Sequence, residues 1–91
     1  MSRASRAEGL THDATDAMLR GELEEATALY ARALKADASY APAWRGKGLV
    51  LERAGQRREA AAAFKEFLRL QPNGAAAQAI ERRLQALQAT P

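Results

Sequence analysis

A 34-residue self-repeat constrains this chain more than any other feature. Leu10 and Trp44, Ala14 and Gly48, and Ala17 and Leu51 stand 34 residues apart. So do Gly21 and Gly55, Glu25 and Glu59, Ala26 and Ala60, Tyr30 and Phe64, and Leu34 and Leu68. Large, small and glycine slots recur together, which a chance match at one offset does not produce. A fixed period of this length is how stacked helical hairpins appear in sequence, each burying its apolar face only against a neighbour. Such stacks need about three units for stability, and 91 residues hold between two and three. The hydrophobic share is 47%, but much of it is Ala, which favours helix and buries little area. With Tyr30, Tyr40, Trp44, Phe64 and Phe67 as the whole aromatic complement, the core is small and stability modest.

The local pattern gives five helices and no strand, an all-α chain. Leu10, Ala14, Ala17 and Met18 form a weak apolar stripe over about Glu8 to Arg20, which Gly21 stops as a C-terminal cap needing positive φ. Leu23, Ala26, Leu29, Tyr30, Ala33 and Leu34 make a stronger stripe over about 23–36. Ser39 is placed to cap a third helix, and Pro42 is tolerated in its first turn. Trp44, Gly48 and Leu51 mark that helix's inner face, and Gly55 ends it near Ala54. Ala60, Ala63, Phe64, Phe67 and Leu68 build a fourth helix over about 57–70, blocked by Pro72. Asn73 then reads as the cap of a last helix over 74–88, with Ala77, Ile80, Leu84 and Leu87 on one side. Residues 1–6 read as a flexible start, 7–40 and 41–73 as the two repeats, 74–88 as a capping helix and 89–91 as a tail.

Composition excludes several chemistries. There is no Cys, hence no disulfide, thiol catalysis or Cys-ligated metal. His12 is the one histidine, so no multi-histidine metal site forms. Glu22, Glu24 and Glu25 cluster where a helix starts, and there they complement its dipole. No nucleophile elbow and no Gly-rich phosphate loop is present. The expectation is no enzyme, no cofactor and no metal. The N-terminus lacks the apolar run of a secretory signal and no segment approaches a membrane span, so the chain reads as cytoplasmic and free of membrane. Net charge is +3 but uneven: residues 1–40 carry five basic and seven acidic side chains, residues 41–91 nine and four. Arg57, Arg58, Arg82 and Arg83 concentrate the positive end, which suits an acidic partner or head-to-tail contact between copies.

Together these residues resemble a tetratricopeptide repeat. The second copy carries Trp44-x-x-Lys47-Gly48-x-x-Leu51, then Gly55, Ala60-x-x-x-Phe64 and Pro72. The first is weaker: Leu10, Ala14, Ala17, Gly21, Ala26-x-x-x-Tyr30, Ala33 and Ala38. The last helix resembles the solvating cap of such arrays, and Glu81 stands where a small residue should meet a partner helix, which reads as the end of the array. Two departures stand out. Asp13 and Lys47 fill a slot that is usually aliphatic, and either pair with each other or separate, Lys47 snorkelling and Asp13 facing water. Phe67 replaces a small residue such as Ala33, and is expected to pack under Ala75, Ala76, Ala77 and Ala79.

The resemblance implies a non-enzymatic adaptor that binds a partner protein along a concave groove lined by the first helix of each hairpin. On helical spacing that groove holds Thr11, Thr15 and Met18, then Arg45, Leu49 and Glu52, then Gln78, Arg82 and Gln85. The two arginines suit a peptide or helix carrying an acidic residue. Members that clamp the terminal carboxylate of chaperones place Lys and Asn on the first groove helix and Asn on the second. Here Thr11, Thr15 and Leu49 stand in those slots, with Gly46 where a further polar contact belongs, so that clamp is absent. A homo-oligomer assembled through the acidic and basic repeats is the alternative. Nucleic acid is the weaker one, because no aromatic interleaves with the arginines to stack bases.

Overall fold

The computed structural model describes residues 1–89. Five helices follow in order: α1 (Arg3–Leu19), α2 (Leu23–Ala36), α3 (Ala41–Arg53), α4 (Arg57–Leu70) and α5 (Ala75–Ala89). No strand occurs among the described residues. α1 packs on α2 and α3 on α4; α3 also meets α1 and α2, and α5 rests on α4. The result is an all-α helical repeat measuring 42 × 28 × 19 Å.

The repeat is legible in the turns. Gly21 and Gly55 both adopt φ +80°, a left-handed conformation that costs glycine nothing. Around each, the same two bonds close the helix: Glu22 N–H donates to Ala17 O and Gly21 N–H to Met18 O. One repeat later, Gln56 N–H donates to Leu51 O and Gly55 N–H to Glu52 O. The turns after α2 and α4 instead leave the helix at Asp37 and Gln71, both at strongly negative φ (−151° and −140°), followed by Pro42 in the first turn of α3 and Pro72 beyond α4.

Small residues let the helices approach. Ala7, Ala14, Ala17, Ala26 and Ala33 are fully enclosed in the first hairpin, as are Ala43 and Ala60 in the second. Rings fill the remaining space: Tyr30, Phe64 and Phe67 are each no more than 1% exposed. Two glycines in α3 exist for those rings. A β-carbon on Gly46 would collide with Cε1 and Cζ of Tyr30, and one on Gly48 with Cε1 and Cδ1 of Phe64. Gly46 therefore seats the ring of the preceding hairpin and Gly48 the ring of its own. Phe67 joins one cluster with Ala77, Ile80 and Leu84 of α5.

Several sequence expectations are corrected. α1 begins at Arg3 rather than near Glu8, because Ser2 Oγ accepts the N–H of Ser5 and caps the extra turn. Ser39 does not cap α3. Its amide and hydroxyl both donate to Asp37 Oδ1, at 3.0 and 2.6 Å, and Tyr40 holds the cap position without a side-chain bond. At α5 the first helical carbonyl is that of Gly74, which accepts from Gln78 N–H, so Asn73 lies one residue too early. Asp13 and Lys47 do not pair: Asp13 is exposed, and the Lys47 ammonium lies 5.2 Å from the centre of the Trp44 ring. Of the expected tail, Ala89 ends α5 and residues 90–91 lie outside the described residues.

Candidate functional site

The first helices of the two hairpins, α1 and α3, flank an open polar cleft of about 230 Å³. α1 supplies Thr11, His12, Thr15 and Asp16; Tyr40, Pro42 and Arg45 close it from the side of α3. Beside it runs a part-buried hydrogen-bond network. Thr15 Oγ1 donates to Thr11 O at 2.9 Å, and lies 2.9 Å from the Tyr30 hydroxyl. Having one proton, already given to the carbonyl, Thr15 accepts from Tyr30. The same Tyr30 ring occupies the space over Gly46, so the Thr15–Tyr30 bond behind the cleft ties α1, α2 and α3 together.

Arg45 is exposed and makes no ion pair or side-chain hydrogen bond among the described residues. Tyr40 is half-buried; burial and the nearby negative charge of Glu8 push its phenol above the ordinary tyrosine value, so it stays protonated. Farther along, Glu52 of α3 takes Arg83 of α5 at 2.6 Å, and Arg53 Nη1 donates to Met18 O at 3.2 Å. Asp16 stands between this cavity and an acidic cleft it shares with Asp13, Arg20, Glu25 and Leu29. Among the described residues no group of three or more His, Cys, Asp or Glu is placed to hold a metal ion. No described helix is long and apolar enough to cross a membrane.

The family model described as Tetratricopeptide repeat matches residues 41–73, the second hairpin. The match identifies that second hairpin as a tetratricopeptide repeat. Among solved structures the chain is similar to the first such domain of Spaghetti (RPAP3), a structure bound to the HSP90 peptide SRMEEVD. The TM-score is 0.50 and the identity 17%, over 96% of this chain and 96% of that one, a likeness of fold. No curated protein matches the chain. Tetratricopeptide solenoids are interaction modules that present extended concave surfaces.

Within this helical array the expected groove residues divide. Thr11, Thr15 and Arg45 come together at the cavity. Thr11, however, forms its floor, only 8% exposed, rather than its open surface. Met18 and Leu49 lie one helical turn farther on, both half-buried. Glu52 is taken up by Arg83. The residues expected on α5 are one position out of register. Gln78, Arg82 and Gln85 lie 34 residues after Trp44, Gly48 and Leu51, the face that α3 turns toward α4. On α5 that face has no helix against it among the described residues, and all three are exposed. The buried set Ala77, Ile80 and Leu84 lies 34 after Ala43, Gly46 and Val50, which fixes the register. Arg83, 34 after Leu49, is the residue that reaches the groove side. Sequence reasoning also missed His12, Asp16, Tyr40 and Pro42 at the cavity. The 34-residue offset applied to every α5 position would have caught the register error; the four cavity residues fall outside the apolar pattern and gave no such signal.

Proposed function

We propose that this tetratricopeptide array is a non-enzymatic adaptor, holding an extended segment of a partner protein in the groove between α1 and α3. The observation that carries this is the polar cleft at the junction of the two hairpins, which the exposed Arg45 lines together with Thr11 and Thr15. Beside it, Met18 and Leu49 offer a small half-buried apolar surface. A groove of this kind supplies fixed donors for orientation and apolar area for affinity. The similar solved domain was captured with a peptide, which supports the same use of this fold. The peptide itself does not carry over, because Thr11, Thr15 and Leu49 stand where a chaperone-tail clamp places Lys and Asn. Arg45 favours a segment with an acidic residue.

The test is peptide selection. A displayed library of random decapeptides is panned on the full chain, and enriched sequences are measured by fluorescence polarisation against wild type, Arg45→Glu and Arg82→Glu, each checked for folding by circular dichroism. Binding lost with Arg45→Glu and kept with Arg82→Glu is the expected result. A library that yields no binder, or binders indifferent to Arg45→Glu, places the interface elsewhere.

A further inference from the structure

We infer that copies of this chain add head to tail, the open face of α5 in one copy docking on the open face of α1 in the next. The 34-residue offset locates both faces. In α3, Ala43, Gly46 and Val50 are buried against the hairpin before, with Gly46 under the Tyr30 ring of α2. Their counterparts in α5, Ala77, Ile80 and Leu84, are buried likewise, and α5 rests on α4. In α1 the counterparts are Gly9, His12 and Asp16. All three are exposed, and a β-carbon on Gly9 would meet nothing within 4 Å. The other end shows the same thing on the opposite face. Trp44, Gly48 and Leu51 of α3 turn toward α4, Gly48 admitting the Phe64 ring, whereas on α5 this stripe is Gln78, Arg82 and Gln85, all exposed. Among the described residues, α1 and α5 each lack one helix neighbour, and each can be that neighbour for the other.

Charge decides what fills these faces. A guanidinium stands in the slot where Gly48 admits a ring, and a carboxylate in the slot of Val50. Neither face suits a helix bringing an apolar stripe, because burying an unpaired charge is costly. They suit each other. Asp16 lies in a cleft of about 300 Å³ with Asp13, Arg20, Glu25 and Leu29. Three carboxylates there face one guanidinium, and Arg20 Nε is already bonded to Glu22 Oε1 at 3.0 Å, outside that lining. The cleft is therefore short of a cation. Arg82 is exposed and makes no ion pair among the described residues, unlike Arg83, which Glu52 holds. A guanidinium meets a carboxylate through two parallel bonds. Gln78 and Gln85, a turn to either side of Arg82, bring amides that donate and accept, and the half-buried Leu29 gives the cleft its apolar contact. The acidic first forty residues and the basic remainder steer the approach in the same orientation. Because the two faces differ and lie at opposite ends of the array, the contact is heterologous and each added copy offers a fresh end.

Sedimentation equilibrium of the full chain, from micromolar to millimolar concentration, tests this. It is run near 0.01 M salt, where charges act over about 30 Å, and near 1 M, where they act over about 3 Å. At low salt the weight-average mass should climb with concentration past twice that of one chain, and at high salt it should fall back toward one. Arg82→Glu and the double variant Asp13→Asn/Asp16→Asn each disable one end, and each should weaken association about tenfold or more. All three positions are exposed, so the Tm should hold. Mixed in equal amounts, the two variants should form a pair and go no further, since the intact acidic cleft of the first takes the intact Arg82 of the second. A wild-type chain that stays monomeric at low salt, stops at a dimer or associates regardless of salt overturns the inference. So do variants that assemble like wild type, or a mixture that stays monomeric.

Discussion

The two hairpins have one backbone and two ways of filling it. In the first, α1 and α2 meet through alanines, and the single ring, Tyr30, reaches past its own hairpin to lie over Gly46 of the next. In the second, Phe64 stays at home on Gly48. The exchange follows the methyl groups. Ala14 stands in the first hairpin where Gly48 stands in the second, and Ile80 stands on α5 where Gly46 stands on α3. Where the near side has a methyl the far side gives room, and where the near side is bare the far side is filled. The lesson is that a repeat fixes the volume at each junction while leaving open which helix provides it. The hydroxyl of Tyr30 is what the first solution adds, and it bonds Thr15 of α1.

The contrast between the hairpins is strongest at Phe67, which closes the second junction where Ala33 serves the first. Phe67→Ala should cost ~3–5 kcal/mol, the usual range for a buried ring, read from urea denaturation midpoints; a loss under ~1 kcal/mol would mean α5 does not depend on it. Next come the glycines. Gly46→Ala and Gly48→Ala improve helix propensity by ~1 kcal/mol but drive a methyl into a ring, and overpacking of that kind costs ~1–3 kcal/mol. Both should therefore be destabilising or at best neutral, whereas an ordinary exposed helical glycine such as Gly9, with open space around it, should gain stability on the same change. Thermal melts of the three variants separate the cases.

Smaller effects test the polar side. Tyr30→Phe takes a hydrogen bond from Thr15 and should cost ~0.5–1.5 kcal/mol, as a typical buried bond does; no loss at all would mean the Thr15 contact is not formed in solution. The smallest concerns the turns between helices. The Ser39 hydroxyl, and then its amide, hold the Asp37 carboxyl below its ordinary value, whereas Gln71, one repeat later, does not titrate. A carboxyl lowered on folding contributes stability that is present above its unfolded value and lost as pH falls through the folded one. A carbon-13 titration of Asp37 should thus show a midpoint below that of a model aspartate, and Asp37→Asn should remove it; a midpoint at the ordinary value would show the Ser39 contacts are absent.

The sequence was legible where physics acts through spacing. The 34-residue offset located both Schellman turns at Gly21 and Gly55, the ring slots at Tyr30 and Phe64, and the repeat type that the second hairpin matches. It was less legible where several residue types satisfy one need. Ser39 is a good cap by type, yet Asp37 two residues earlier offers it a closer acceptor. Ser2 and Ser5 begin a helix whose first turn has no large apolar residue to announce it. The groove suffered from the same limit. Arg82 and Arg83 are adjacent and alike, and only the burial of Ala77, Ile80 and Leu84 tells which of them turns to Glu52. Thr11 looked like surface because threonine in a helix gives no sign of burial, and its unpartnered hydroxyl exists only in three dimensions.

Among the described residues α5 has a helix on one side only: it rests on α4, with the Glu52–Arg83 pair and the bond from Arg57 Nη2 to Leu87 O as side ties. In a chain of units stabilised by nearest-neighbour interfaces, an end unit has one interface to lose where an inner one has two. Amide exchange should therefore open from the C-terminal end inward, α5 releasing its protons while α2 and α3, held around the Tyr30 ring, still keep theirs.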